Sequence, residues 1–106
     1  MSSPLVSICI PTYNRVKLLE RTVRSALAQT YDHFEIIITD NSENDESQAL
    51  IATFKEPRIQ YFKNESNIGF LKNIERVASL AKGKYFIVWR PDELAVIARR
   101  MRDPID

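Results

Sequence analysis

A chain of 106 residues has room for one domain, which can bury roughly two-thirds of the surface its unfolded form exposes. Hydrophobic and charged fractions of 44% and 27% are those of an ordinary globular protein. Fifteen Lys plus Arg against fourteen Asp plus Glu leave a net charge of +1, which excludes any electrostatic case for nucleic acid or an anionic membrane as partner.

The amino terminus, MSSPLVSICI, has neither the basic start nor the long apolar core of a signal peptide. No apolar run approaches the roughly twenty residues that a membrane span needs. Leu5 to Ile10 is a β-branched-rich run halted at Pro11, which predicts a strand and then a turn. Cys9 lies inside it as the single cysteine, so no disulfide can form within the chain, in keeping with a cytoplasmic location. It reads as a buried inert thiol. Lys17 to Gln29 places Leu19, Val23, Ala26 and Leu27 at helical spacing and leaves Glu20, Arg21 and Arg24 to water. Phe34 to Thr39 is a second apolar strand with Asp40 at its carboxyl end. His33, the lone histidine, stands before that strand and reads as a surface residue. Asp45 with Gln48 forms a capping-box pattern, which predicts a helix over Glu46 to Phe54. Pro57 breaks it, and Ile59 to Phe62 makes a short third strand. The next helix runs from Phe70 to Ala81, with Phe70, Ile74, Val77, Ala78 and Ala81 on its apolar face; Asn73 reads as a helix-surface residue, or alternatively as a second polar contact. After Gly83, Tyr85 to Trp89 is a fourth strand. Leu94, Ile97, Ala98 and Met101 then recur at helical spacing and predict a last helical segment.

Alternating strands and helices imply a parallel sheet covered on both sides. Ligands of such sheets bind beyond the carboxyl ends of the strands. Four segments therefore carry the functional question: Pro11 to Arg15, Asp40 to Asp45, Lys63 to Gly69, and Arg90 to Glu93. The first reads PTYNR. Pro11 stiffens the turn, Tyr13 offers a flat face, Asn14 offers donors and an acceptor, and Arg15 a fixed positive fork. That set suits a nucleobase, and equally an ordinary strand-to-helix turn with an exposed tyrosine. Asp40 can accept a hydrogen bond from a base or ribose edge, or close an Asx-type turn. Neither GxGxxG nor GxxxxGK[ST] occurs, and the only glycines are Gly69 and Gly83, which disfavours a Rossmann dehydrogenase and a P-loop enzyme.

VSICIPTYNR, FEIIITDNS with Asp45 shortly after, NESNIGF and AKGKYFIV, in this order and spacing, resemble the start of a family 2 glycosyltransferase. The resemblance covers nearly everything from Pro4 to Val88. It implies an inverting enzyme of the GT-A fold, with an α/β, Rossmann-like parallel sheet of about four strands and helices on both faces. Residues 1–106 would then be a partial nucleotide-sugar-binding domain. The resemblance also implies that Pro11, Thr12, Tyr13, Asn14, Arg15 and Asp40 surround the nucleotide of a donor sugar, UDP-linked, and that Asn67 and Gly69 shape the loop beside it.

After its fourth strand the family carries an Asp-x-Asp motif, whose acidic pair binds Mn or Mg across the diphosphate. Here the matching positions are Arg90, Pro91, Asp92 and Glu93. Asp92 and Glu93 are the candidate metal ligands, but Arg90 replaces the expected first aspartate. Pro91, Asp92 and Glu93 equally suit a helix start, with the carboxylates at its positive end. The family's acceptor site and catalytic base come from a second half beyond this motif, and Asp103 and Asp106, beside the terminus, are poor candidates for that base. The expectation is thus a truncated or altered domain that either transfers a sugar or keeps only a nucleotide cradle. Trp89 and the last helix are expected to face a partner copy in a homo-oligomer.

Overall fold

The structure is a computed structural model that describes residues 4–88 and the backbone of 96–99. Five strands, β1 (Val6–Thr12), β2 (Phe34–Asp40), β3 (Ile59–Lys63), β4 (Tyr85–Val88) and β5 (Val96–Arg99), form one sheet in the order β3-β2-β1-β4-β5. The first four run parallel, and β1 holds the centre between β2 and β4. Three helices connect them: α1 (Val16–Ala28), α2 (Glu46–Ala52) and α3 (Phe70–Leu80).

Strand periodicity of two divides the core into two layers. Ile8, Ile10, Ile36 and Ile38 face α1 and α2, where Leu19, Val23, Ala26 and Ile51 cover them. Cys9, Ile37 and Val88 face the other way, under Val77 and Ala81 at the end of α3. Helices on both faces of a four-stranded parallel sheet are thus as the sequence implied. The buried Cys9 thiol points to the Val77 carbonyl at 3.9 Å, a packing role.

At the amino end of the strands a polar cluster lies inside this frame. The Glu35 carboxylate accepts the Ser7 hydroxyl at 2.6 Å and the Lys82 N–H at 2.7 Å on Oε2, and Gln60 at 3.1 Å on Oε1. Ser7 Oγ in turn accepts the Gly83 N–H at 2.8 Å. Gly83 is required there by proximity: a β-carbon would meet the Leu5 carbonyl oxygen at 2.6 Å and the Ser7 nitrogen at 2.8 Å.

Two readings of the sequence are corrected. Residues 96–99, expected in a helix, form β5, paired antiparallel to β4 with Val88 opposite Val96 and Tyr85 opposite Arg99. The open edge of β4 offers an unspent row of backbone donors and acceptors, and that tertiary demand outweighs a short helical pattern. Asn73, expected at the surface, is only 3% exposed, while Phe70, expected on the apolar face, is 50% exposed. The face of α3 that meets the sheet is the Asn73–Val77–Ala81 stripe, rotated from the one its apolar residues suggest. Trp89 and the Arg90–Glu93 segment lie outside the described residues.

Candidate functional site

The strand order reverses between β1 and β4, and ligands of such sheets bind beyond the carboxyl ends of the strands; among the described residues those ends are followed by the loops after β1, β2 and β3. There Thr12 pairs with Asp40, and Asp40 with Lys63. Two residues beyond Ile10 and Ile38, Thr12 and Asp40 share the α1/α2 face, as does Tyr61, which is opposite Ile38.

Asp40 is fully buried, and its carboxylate is held from two sides. Oδ1 accepts the Ser42 N–H at 2.8 Å, the Asx-type turn foreseen for it, and Oδ2 accepts the Tyr61 hydroxyl. Burial, and then that bond to a carboxylate, push the Tyr61 phenol well above its usual pKa. Thr12 differs. It is 3% exposed, yet its hydroxyl has no hydrogen-bond partner among the described residues. Burying a polar group unpaired costs about 1–3 kcal/mol, so this hydroxyl stands as a donor in reserve.

Hydrogen bonds tie the neighbouring loops to this pair. Asn14 adopts the left-handed conformation, φ 49°, which asparagine tolerates better than most residues, and its N–H donates to Ser42 Oγ at 2.7 Å. Lys63 Nζ donates to the Asn44 carbonyl at 2.6 Å and to Asp45 Oδ1 at 2.5 Å. The Asp45 side chain therefore faces Lys63 and does not cap α2; Asn44 Oδ1 instead accepts the Glu46 N–H at 3.0 Å. Between these loops opens a depression of about 190 Å³ lined by Asn14, Val16, Asn44, Glu46 and Ser47. Tyr13, 44% exposed, and Arg15 stand on the same β1–α1 loop, and Pro11 is buried in the strand.

On the opposite face three buried asparagines interlock. Asn41 Oδ1 accepts Asn64 Nδ2 at 2.6 Å and the Ile68 N–H at 3.2 Å, while Asn41 Nδ2 donates to the Gly69 carbonyl at 3.2 Å. Asn64 Nδ2 also donates to Asn73 Oδ1 at 2.9 Å, and Asn73 Nδ2 to the Thr39 carbonyl at 3.1 Å. Arg76, lying over the Phe62 ring at 5.8 Å, donates to Asn64 Oδ1. Asn67 Oδ1 accepts the Gly69 N–H at 2.9 Å, and Gly69 itself has φ 90°, where a side chain would be strained.

The structure thus brings Thr12 beside Asp40, links Asn14 to the loop after β2, and links Asn67 and Gly69 to Asn41. Asp92 and Glu93, the metal candidates, lie outside the described residues. The described acidic groups do not fit a divalent cation: no group of three or more His, Cys, Asp or Glu is placed to hold one. Near the crevice, Asp40 is engaged by Ser42 and Tyr61, and Asp45 by Lys63. Sequence reasoning passed over Asn41, Ser42, Tyr61 and Asn64. Their only advance signal was position, since three of them stand just past the carboxyl ends of β2 and β3.

The family model described as "Glycosyl transferase family 2" matches residues 7–101, and so continues past Val88. A putative colanic acid biosynthesis glycosyl transferase of Escherichia coli, WcaA, is 33% identical over 103 residues, covering 90% of this chain and 37% of that protein. The Escherichia coli UDP-Glc:α-D-GlcNAc-diphosphoundecaprenol β-1,3-glucosyltransferase WfaP is 37% identical over 95 residues, covering 90% and 38%. Among solved structures, the Pyrobaculum calidifontis mannosyltransferase PcManGT in complex with GDP-Man and Mn2+ superposes with a TM-score of 0.76 at 20% identity, over 88% of this chain and 29% of that one. The chain spans a little over a third of the length of these two curated relatives. Among the described residues no helix is long and apolar enough to cross a membrane.

Proposed function

The chain belongs to glycosyl transferase family 2, and we propose that it binds the nucleoside diphosphate of a sugar donor, with uridine as the base, for transfer of the sugar to an acceptor hydroxyl. One observation carries this reading: a buried, unpartnered hydroxyl on Thr12 beside a buried acceptor on Asp40. A uracil edge presents an N–H flanked by carbonyls, so Asp40, whose oxygens each keep one lone pair beyond those taken by Ser42 and Tyr61, can take the N–H while the Thr12 hydroxyl donates to a carbonyl. Tyr13 supplies a face on which a base can stack, for roughly 1–3 kcal/mol. Pro11 and Asn14 shape the same loop, Arg15 adds a positive charge to it, and Asn67 with Gly69 closes the other side. The GDP-Man complex of the mannosyltransferase and the UDP-Glc in the name of WfaP support a nucleotide sugar as ligand class. A reducing cytoplasmic setting agrees with the lone buried Cys9.

Asp92 and Glu93 are the proposed ligands of a divalent cation, which when bound neutralises charge on the leaving diphosphate. Arg90, where the family has its first aspartate, favours a second reading: a cradle that binds the nucleotide without transferring sugar, alone or within a homo-oligomer.

Calorimetric titration with UDP and with GDP, each with and without manganese, tests the proposal. UDP binding tighter than GDP and strengthened by manganese supports the full donor site. UDP binding indifferent to manganese supports the cradle alone. Absence of UDP binding overturns both.

A further inference from the structure

The donor reading leaves unexplained why three asparagines are buried where α3 meets the sheet. Packing alone would be served by apolar side chains, and a buried amide is tolerable only when fully hydrogen-bonded. What such a network provides is orientation, and the bonds show what is being oriented. Asn41 grips the Ile68–Gly69 segment from both sides, accepting the Ile68 N–H at 3.2 Å and donating to the Gly69 carbonyl at 3.2 Å. Its own N–H donates to the Thr12 carbonyl at 2.9 Å. A single residue therefore joins the end of β1, which carries the reserve hydroxyl, to the loop that opens α3. Asn64 holds the Asn41 amide from beneath, and Asn73 holds Asn64 to β2 through the Thr39 carbonyl.

We propose that Asn41 is a positioning residue for the donor nucleotide, backed by Asn64 and Asn73, that fixes the Asn67–Gly69 loop against the Thr12–Asp40 end before the ligand arrives. The proposal rests on the donor reading above. It assigns to residues that grip the binding loops, and not the ligand, a share of the ligand's affinity, because a loop already ordered loses less entropy on binding.

Two measurements on the full chain test it together: hydrogen exchange at the Ile68 amide, and calorimetric titration with UDP. In Asn41→Ala, protection at Ile68 is expected to fall and the UDP Kd to rise about tenfold. Asn41→Asp keeps an acceptor for Ile68 and Asn64 but turns the donor to Gly69 into a charged oxygen that faces its carbonyl, so Ile68 stays protected while the Gly69 side is released and the Kd rises at least about threefold. Asn73→Ala, which leaves Asn41 itself intact, is expected to fall between the two. A purely structural role would lower the melting temperature while leaving the UDP Kd unchanged, and that result overturns the proposal. Unchanged protection at Ile68 in Asn41→Ala overturns it as well. If Asn41→Ala does not fold, Asn41→Asp decides: a weakened Kd supports the proposal and an unchanged Kd overturns it. Failure of the unsubstituted chain to bind UDP overturns the donor reading and this proposal with it, and is distinguished by appearing before any substitution.

Discussion

The two ends of the sheet both bury polar groups, and they treat them differently. At the amino end Glu35 accepts three hydrogen bonds, Ser7 both donates and accepts, and Gly83 clears the space in which they meet. At the carboxyl end Asp40 is held by Ser42 and Tyr61, but the Thr12 hydroxyl beside it is left without a partner among the described residues. A cluster that serves the fold spends its donors and acceptors internally. One that serves a ligand keeps a group back, at a cost in stability, and strain at Asn14 lies next to that reserve.

Substitutions can break this contrast, and the largest effect is expected at the closed end. In Gly83→Ala the new β-carbon collides with backbone at Leu5 and Ser7, so unfolding by urea should show a loss near 3 kcal/mol, the upper part of the range for overpacking. Glu35→Gln neutralises the bonds on one oxygen and turns the other into an NH2 that can no longer accept from Gln60, and should cost about 1–2 kcal/mol by the same measurement, with the UDP Kd unchanged. Thr12→Val sharpens the comparison by reversing the sign. Removing an unpaired buried hydroxyl should leave stability level or raise it by about 1 kcal/mol, while calorimetry shows UDP binding weakened about threefold to tenfold. A Thr12→Val chain that lost stability and kept its UDP affinity would dissolve the distinction between the two ends.

The smallest effect belongs to Glu56, on the rim of the closed end. Hydrogen bonds from the Arg58 side chain and backbone N–H pull its pKa down from 4.5 to about 2. Because the folded value lies below the ordinary one, the contribution is complete above about pH 4.5 and is lost as pH falls toward 2. The gap in stability between wild type and Glu56→Gln should therefore close across that window. Solvent screening keeps the gap small, and added salt should shrink it further. An NMR titration of the Glu56 carboxyl is expected to show a midpoint near 2.

Much of this was legible in the chain, for reasons that show where legibility ends. A short β-branched run bounded by polar residues, such as Ile36 to Ile38, suits a covered strand, and Leu19, Val23 and Ala26 mark a helix by their spacing. The carboxyl-end rule then led to Asp40 and the Pro11–Arg15 loop, and the family resemblance added Thr12. Asn73 was misread because one polar residue on a helix has no local sign of burial; its partners, Asn64 and the Thr39 carbonyl, are brought to it only by the fold. Glu35 was hidden in the same way, as a single acidic residue in an apolar strand whose partner Ser7 stands in another strand. Residues 96–99 were misassigned because so short a segment fits both periods, and its choice is made by the open edge of β4.

The central place of β1 has a consequence for the birth of the protein. β2, its first neighbour, begins at Phe34, but its second, β4, begins only at Tyr85. During synthesis at roughly 5–20 residues per second, the interval between them lasts from a few seconds to about ten. Throughout that time the edge of β1 from Val6 to Cys9 is a ready template for any other extended chain. The strand that organises the finished sheet is thus, on the nascent chain, its most adhesive part.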